Sequence, residues 1–362
     1  MRQTSSLPPI DAWVASSLLQ KAIRRGDVEY AEAAALAFHR MRGNAIWRRL
    51  ILIAFEDIGP SDRDLCIKVT NSGTDISSRS QIGSDGEVIT HLVRLMCAAP
   101  KNREADYLIC SAKQAPFTEG LRAAMARKTV TERIAVSVDA QTPLLQRAVA
   151  AWMASGVNGG GPVTLSIGDL PGLMQAVTRV ADLEAFPTAA ITACEKTSEP
   201  IVVMNALLAL AIQQQELPTE VVEEKLPEFV LCDGIPSWVF DKHTRLGKSA
   251  IRQLLAENQH LRNCIGEFVP EYRALEVAAM AAFYADAVSL KLRMTWSMSN
   301  DLYSLGLRTD MTKIGTPDNG VEPIVSTMQS SLEHLNDIRR RLRNASYGRR
   351  LSWETGDLEV GK

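Results

Sequence analysis

The chain contains little cysteine, and its six cysteines are far apart in the sequence. None of them forms a C-x-x-C pair, the spacing that many zinc sites use. Reduced thiols of this kind are typical of an intracellular protein. The sequence therefore argues against a disulfide scaffold and predicts neither a metal site nor another cofactor. The cysteines are Cys66, Cys97, Cys110, Cys194, Cys232 and Cys264.

Long apolar runs are missing as well. The best one, residues 201–212, is interrupted by Asn205 and is too short to span a bilayer. Residues 1–9 lack the apolar stretch of a secretory signal peptide. We therefore expect a cytoplasmic protein without membrane contact.

The chain has no large excess of charge of either sign. It carries 40 Lys and Arg against 42 Asp and Glu, which gives a net charge of −2. Because no global positive field attracts it to nucleic acid, any such contact has to be local. A hydrophobic fraction of 46% over 362 residues is sufficient for a packed core.

What the sequence does contain is apolar residues at helical spacing. Asp11 is predicted to cap the first helix and Gly26 to take the left-handed turn that ends it. Strand signals are weak and confined to residues 163–167 and 228–232, and the Ser- and Gly-rich residues 71–86 predict a surface loop. We expect an all-α fold, a helical array of short antiparallel or crossing helices.

The array is predicted to form two domains. Residues 155–172 include the run GGGP at 159–162 and are predicted to be a Gly-rich linker. One helical domain then covers residues 1–154. A second covers residues 173–352 and ends in a basic helix, followed by a tail at 353–362.

Several motifs occur in a specific order near the N-terminus. Residues 18–31 read LLQKAIRRGDVEYA, and they are followed by WRRL at 47–50, FEDIG at 55–59 and CAAPKN at 97–102. In this order the segments resemble the C-terminal collar domain of the RarA/MgsA family of clamp-loader-like ATPases. The resemblance covers residues 10–120, with Phe55 in place of the family's usual small residue.

The resemblance implies partners and a setting. That family's collar holds subunits in a ring-like oligomer, which implies self-association of this chain as a homo-oligomer such as a tetramer. It also implies a setting in DNA replication, recombination or repair. The family's ATPase core is not found here: the GKS triplet at 247–249 has Lys242 where a phosphate-binding loop requires its first glycine. We therefore expect a non-catalytic scaffold or accessory protein, with DNA and an AAA+ ATPase supplied in trans as further partners.

Two adjacent carboxylates, Glu56 and Asp57, are predicted at the end of the third helix. The helix dipole is negative there, so both need compensation. One hypothesis is ion pairing that fixes the first helix against the third, and the alternative is a contact across a subunit interface. Catalysis by the carboxylates is disfavoured because no second titrating partner is nearby. Four arginines on adjoining helices are the expected contacts: Arg24, Arg25, Arg48 and Arg49.

The densest chemical cluster lies at residues 236–248. It could anchor the core through its aromatic residues, or form a recognition surface for phosphate or an acidic partner. A third interpretation is an enzyme site in which His243 acts as acid or base beside Asp241. The candidate residues are Trp238, Asp241, Lys242, His243, Arg245 and Lys248.

A run of arginines marks the predicted C-terminal helix. Such a run can be a solvated helix face, but its local positive charge also suits contact with nucleic acid phosphates. A DNA-binding accessory protein is therefore the alternative to the scaffold. The candidate residues are Arg339, Arg340, Arg341, Arg343, Arg349 and Arg350.

Overall fold

The computed structural model describes residues 7–159, 165, 167–215 and 218–354, without the side chains of Ser78 and of residues 346–354. In this part of the chain, 19 α-helices account for nearly all regular structure, so the all-α fold class is confirmed. The first helices are α1 (Ala12–Arg25), α2 (Val28–Arg42), α3 (Ala45–Ile53), α4 (Arg63–Thr74), α5 (Ile76–Ile82), α6 (Asp85–Ala98), α7 (Glu104–Gln114), α8 (Glu119–Ala126), α9 (Val130–Val138) and α10 (Leu144–Ser155).

The remaining helices are interrupted by four short strands. The helices are α11 (Leu170–Val180), α12 (Phe186–Thr197), α13 (Ile201–Gln214), α14 (Arg245–Glu257), α15 (Gln259–Gly266), α16 (Glu271–Ala282), α17 (Ser299–Thr312), α18 (Asp318–Ser330) and α19 (Leu332–Glu354). The strands are β1 (Glu220–Glu223), β2 (Leu231–Cys232), β3 (Ile235–Pro236) and β4 (Leu292–Thr295). They form two antiparallel pairs, β1 with β4 and β2 with β3.

The first two helix boundaries follow from local chemistry. Asp11 caps α1 by accepting a hydrogen bond from the backbone N–H of Val14 at 2.8 Å. Gly26 ends α1 in the left-handed conformation with φ of 66°, and Asp27 then caps α2. The predicted caps at Asp11 and Gly26 are therefore confirmed.

Helix α3 ends in a wider turn than the sequence indicated. The chain continues from α3 into a π-helical turn at Ala54–Ile58, where Gly59 with φ of 52° terminates it. A π-turn inserts an extra residue into the helical repeat, which turns consecutive side chains toward new neighbours. Glu56 and Asp57 both belong to this turn.

Residues 71–86 differ from the predicted surface loop. Helix α4 continues to Thr74, α5 occupies Ile76–Ile82, and α6 starts at Asp85. Ser84 and Glu87 form a capping box at the start of α6, so the serine acts as a helix cap rather than as a loop residue. The loop prediction was wrong because a polar composition does not distinguish a loop from helix ends.

Two apolar cores hold the helices together. The first takes most of its side chains from helices between α1 and α13 and from residues 232–240, together with Trp296 and Leu302, and the second takes side chains from α14 to α19. Phe55 and Phe186 stack in the first core with ring centroids 5.8 Å apart. The predicted boundary at 155–172 therefore does not separate the two cores, since helices on both sides of it share the first one.

Strand β4 links the second half of the chain to the first. The backbone N–H of Lys101 donates to Leu292 O at 2.7 Å, and Met294 donates to Lys101 O at 2.9 Å. Of the weak predicted strands, residues 228–232 contribute β2, whereas 163–167 fall mostly outside the described residues. Among the residues described, no helix combines the length and apolarity that a membrane crossing requires.

Candidate ligand-binding cleft

A cleft of about 330 Å³, lined mainly by polar and charged residues, lies between α1, the end of α3 and the segment that precedes α14. We call it the α1 cleft. Glu56 and Asp241, from different predicted clusters, both line it. The fold therefore joins two groups of candidate residues that are almost two hundred positions apart in the sequence.

Helix α1 provides one wall. Its residues at intervals of three and four turn the same face toward the cleft, while Leu18, Leu19 and Ile23 on the other face are fully buried in the core. The sequence interpretation used only Arg24 of this face. The α1 residues that line the cleft are Trp13, Ser16, Ser17, Gln20, Lys21 and Arg24.

Arg24 pairs with both carboxylates of the π-turn. Its Nε lies 2.7 Å from Asp57 Oδ1 and its Nη2 lies 2.9 Å from Glu56 Oε1. Arg103, at the start of α7, also contacts both, with Nη1 2.9 Å from Asp57 Oδ1 and 3.1 Å from Glu56 Oε1. Gln20 Nε2 donates to the other oxygen of Asp57 at 2.9 Å. The two carboxylates are thus compensated within the chain, and Arg103 was missed.

The arginines determine the charge state of Glu56. Burial alone would raise its pKa, but the positive charges of Arg103, Arg24 and Arg49 outweigh burial and lower the pKa from 4.5 to about 2. Glu56 is therefore ionised at neutral pH. Asp57 is fully buried and accepts hydrogen bonds from Gln20, Arg24 and Arg103, so its position is structural.

The other three predicted arginines have different roles. Arg25 donates from Nη2 to Asp286 O at 2.7 Å and stacks over the Trp238 ring at 4.9 Å. Arg48 points to another side of α3, where its Nη2 donates to the carbonyl oxygen of Thr197 at 2.6 Å. Neither of them contacts Glu56 or Asp57 in an ion pair within the described part of the chain.

Arg49 differs from its neighbours because it lines the cleft without a counter-ion. Its Nη2 donates to Gln20 Oε1, and its buried Nε has no hydrogen-bond partner in the described chain. No carboxylate of the described residues lies within 4.0 Å of it. Burial lowers the pKa of Arg49, and the more distant Glu56 and Asp57 only partly oppose this.

The cluster at 236–248 divides between core and cleft. Trp238 is 1% exposed and belongs to the first core. Asp241 Oδ2 lies 2.8 Å from Lys21 Nζ in the cleft wall. Lys242 Nζ lies 4.4 Å from the Phe283 ring centroid, and Arg245 and Lys248 are exposed on α14.

His243 lines the cleft, but Asp241 does not orient its imidazole. Asp241 Oδ1 instead accepts a hydrogen bond from the backbone N–H of His243 at 2.9 Å. The imidazole meets the Phe283 ring edge-on at 5.8 Å. Partial burial lowers the pKa of His243, against the opposing charge of Asp241, so the ring is neutral at neutral pH.

The buried pair of Lys21 and Asp241 closes one end of the cleft. Burial lowers the pKa of Lys21, although the charge of Asp241 opposes it. For Asp241, burial opposes ionisation, but Lys21 and His243 outweigh it and lower the pKa. Lys21 Nζ also donates to Ser17 Oγ at 2.5 Å, so both charges are compensated locally.

The C-terminal arginines do not form one basic face. Arg339 has no exposed surface, and its Nη1 lies 2.6 Å from Asp286 Oδ2, so it cannot reach a nucleic acid as predicted. Arg340, Arg341 and Arg343 pair with Asp337, Glu257 and Asp233. The side chains of Arg349 and Arg350 lie outside the described residues.

No protein-family model, curated protein or solved structure matches this chain. The resemblance of residues 10–120 to the RarA/MgsA collar therefore stays a prediction. Among the described residues, no group of three or more His, Cys, Asp and Glu side chains is arranged so that it could hold a metal ion. The α1 cleft therefore offers a ligand fixed charges, hydroxyl groups and aromatic side chains.

Proposed function

We propose that this chain is a non-catalytic accessory protein of DNA metabolism, and that the α1 cleft receives a phosphate group of nucleic acid. The observation that carries the proposal is Arg49. Its guanidinium lines the cleft, and it has no ion-pair partner within the described residues. A guanidinium is well suited to phosphate because it is always charged and offers several donors in one plane.

The charge balance of the cleft supports this assignment. Lys21 is paired with Asp241, and Arg24 and Arg103 are paired with the two carboxylates of the π-turn. These contacts leave the charge of Arg49 uncompensated at short range. A partly buried charge without a close partner is costly, so an anion that enters the cleft gains from donors that already point toward it.

The C-terminal helix is a weaker candidate for the same contact. Arg339 is buried, and Arg341 lies 2.9 Å from Glu257. A phosphate that approached these arginines would have to displace carboxylates of the protein itself. The α1 cleft requires no such exchange at Arg49.

Self-association is part of the proposal. It is supported by the order of motifs in residues 18–59, which resembles the oligomerising collar of RarA/MgsA proteins. As an accessory protein of DNA, the chain would work in the cytoplasm beside an ATPase supplied in trans. Light scattering after size-exclusion chromatography tests the assembly: we expect a homo-oligomer such as a tetramer, and a strict monomer at micromolar concentration would remove this part.

The phosphate site is tested with two neighbouring arginines. Arg49→Gln removes the charge in the cleft, and Arg48→Gln removes a charge on another side of the same helix. A charged hydrogen-bonding contact contributes about 1.5–3 kcal/mol, so Arg49→Gln should weaken binding of a labelled single-stranded oligonucleotide by at least about tenfold. The slope of log K against log salt should fall by about 0.7.

The control should retain wild-type binding, because Arg48 faces Thr197 rather than the cleft. Thermal unfolding of both variants separates loss of binding from loss of folding. Equal binding by Arg49→Gln and the wild type would reject the phosphate site. Equal weakening by both variants would indicate a diffuse electrostatic contact instead.

A second function, proton transfer by His243, is favoured by one observation. Its imidazole lines the cleft in the neutral form, as a general base requires. The measurement is cleavage of a labelled oligonucleotide by the wild type and by His243→Gln. Cleavage that the variant loses would support an enzyme, and no cleavage by the wild type would leave binding as the function.

A further inference from the structure

An exposed tryptophan stands on the rim of the α1 cleft. Trp13 is 72% exposed, whereas the other tryptophans with a described side chain are at most 7% exposed. Tryptophan is highly buried on average, so a tryptophan that is mostly exposed beside a cleft is available for contact with a ligand. The buried tryptophans are Trp47, Trp152, Trp238 and Trp296.

We infer that the α1 cleft binds a nucleoside phosphate, with the base stacked on Trp13 and the phosphate at Arg49. This inference rests on the proposed function and specifies its ligand. Base stacking on an aromatic side chain together with a cation for the backbone is the general mode by which proteins hold unpaired nucleotides. A base paired inside a duplex cannot offer its face to Trp13, so the ligand is an unpaired nucleotide.

The spacing along α1 suits such a ligand. Trp13 and Gln20 are seven residues apart on the same face, which is about 10 Å along the helix axis. Gln20 accepts a hydrogen bond from Arg49, so its position marks where the phosphate would bind. One nucleotide, or the base and phosphate of adjacent nucleotides, can bridge this distance.

The volume of the cleft agrees with a small ligand. About 330 Å³ is at the lower end of the range of small-molecule sites, about 300–1,000 Å³. It is sufficient for one nucleotide and too small for a double helix. The cleft wall is also fixed, since Lys21, Asp241, Arg24 and Glu56 hold one another in ion pairs.

Trp13 is held in place by the start of its helix. Asp11 caps α1 two residues earlier, which orders the first turn where Trp13 lies. An aromatic side chain on an ordered helix loses little conformational freedom when a base stacks on it. The backbone that carries the exposed ring is therefore ordered before a ligand binds.

The inference is tested with four probes: a short single-stranded deoxyadenosine oligonucleotide, the same sequence as a duplex, adenosine monophosphate and inorganic phosphate. Trp13→Ala should weaken binding of the single strand at least about fivefold, since stacking is lost. Binding of inorganic phosphate should not change. Trp13→Phe should retain most of the affinity, because a ring is still present.

Tyr272→Ala is the matched control. Tyr272 is 81% exposed on α16 and does not line the cleft, so its removal should leave all four affinities unchanged. Tryptophan fluorescence adds a direct signal. The single strand should quench the wild-type emission, and the quenching should be lost in Trp13→Phe.

The same titrations distinguish a free nucleotide from a nucleic acid strand as the ligand. Adenosine monophosphate that binds as tightly as the oligonucleotide identifies a free nucleotide, and tighter binding of the oligonucleotide identifies a strand. Wild-type affinity of Trp13→Ala for the single strand would overturn the inference while leaving the phosphate site intact. A duplex that binds as well as the single strand would overturn it too. If Arg49→Gln binds the single strand as tightly as the wild type, the proposed function itself is rejected.

Discussion

Arg24 Nε lies 2.7 Å from Asp57 Oδ1, and the same guanidinium donates from Nη1 to Ala287 O at 2.9 Å. Asp57 belongs to the π-turn that ends α3, and Ala287 ends a second π-turn at Phe283–Ala287. One side chain of α1 therefore joins the only two π-turns of the described residues. Such turns are frequent at functional sites, and both of these border the α1 cleft.

The first prediction concerns the buried partner of Arg24. Asp57→Asn keeps the side-chain shape but removes the fully buried one of the two carboxylates that Arg24 and Arg103 share, and leaves Glu56 as the other. Breaking one side of a buried pair costs about 3–5 kcal/mol, so we expect a loss of that order in the free energy of unfolding, measured with urea. Asp182→Asn, at an exposed position before α12, should change it by less than about 0.5 kcal/mol. Similar stability of both variants would show that the network does not hold α1 to α3.

The second prediction concerns pH. The pKa of Glu56 is lowered in the folded protein from 4.5 to about 2, so its ionisation stabilises the fold above pH 4.5. That contribution is lost as the pH falls from about 4.5 towards 2. We expect Glu56→Gln to be less stable than the wild type at pH 7, with a difference that narrows over this acid range. A difference that stays constant with pH would contradict the ion pairing, and Glu29→Gln on α2 is the exposed control.

Local features of the fold could be predicted from the sequence, because the atoms that decide them are close along the chain. Asp11 caps a helix whose first N–H groups are three residues away, and Gly26 suits a turn with positive φ. The pairing of Arg24 with Glu56 was also predictable, since short connections place α1 beside α3. These steps need only helical periodicity and the lengths of the connections.

The cleft itself could not be predicted, because it depends on distant packing. Lys21 meets Asp241 across 220 positions, and nothing in either segment identifies the other as its partner. Trp13 gave no signal, since an exposed and a buried tryptophan look the same in one sequence. Arg339 was assigned to a basic surface because a run of arginines does not reveal which one faces the core.

The third prediction follows from that arginine. Arg339 is fully buried and pairs with Asp286, whereas the adjacent Arg340 is exposed. Arg339→Ala should lower the free energy of unfolding by about 3–5 kcal/mol, because it leaves Asp286 buried without its partner. Arg340→Ala should have an effect below about 0.5 kcal/mol, since exposed ion pairs contribute little. Equal effects in urea unfolding would show that α19 does not dock through Arg339.

The fourth prediction concerns the contact between α7 and α17. A Cβ atom at Gly306 would lie 2.4 Å from Cδ1 of Tyr107, closer than atoms can approach. The Tyr107 ring is 6% exposed and packs edge-on against Tyr303 at 5.8 Å, so it has little room to move. Gly306→Ala should therefore destabilise the protein by about 1–3 kcal/mol, although alanine favours helix formation.

Gly120 provides the control for Gly306, because it also belongs to a helix, in the first turn of α8, and a Cβ atom there meets nothing within 4 Å. Gly120→Ala should stabilise the protein by about 0.5–1 kcal/mol, since alanine restricts the unfolded chain without a clash. The two substitutions are chemically identical, so opposite changes in the free energy of unfolding would show the effect of the packing around Gly306. If both variants gain stability in urea unfolding, the close approach of α17 to Tyr107 is absent in solution.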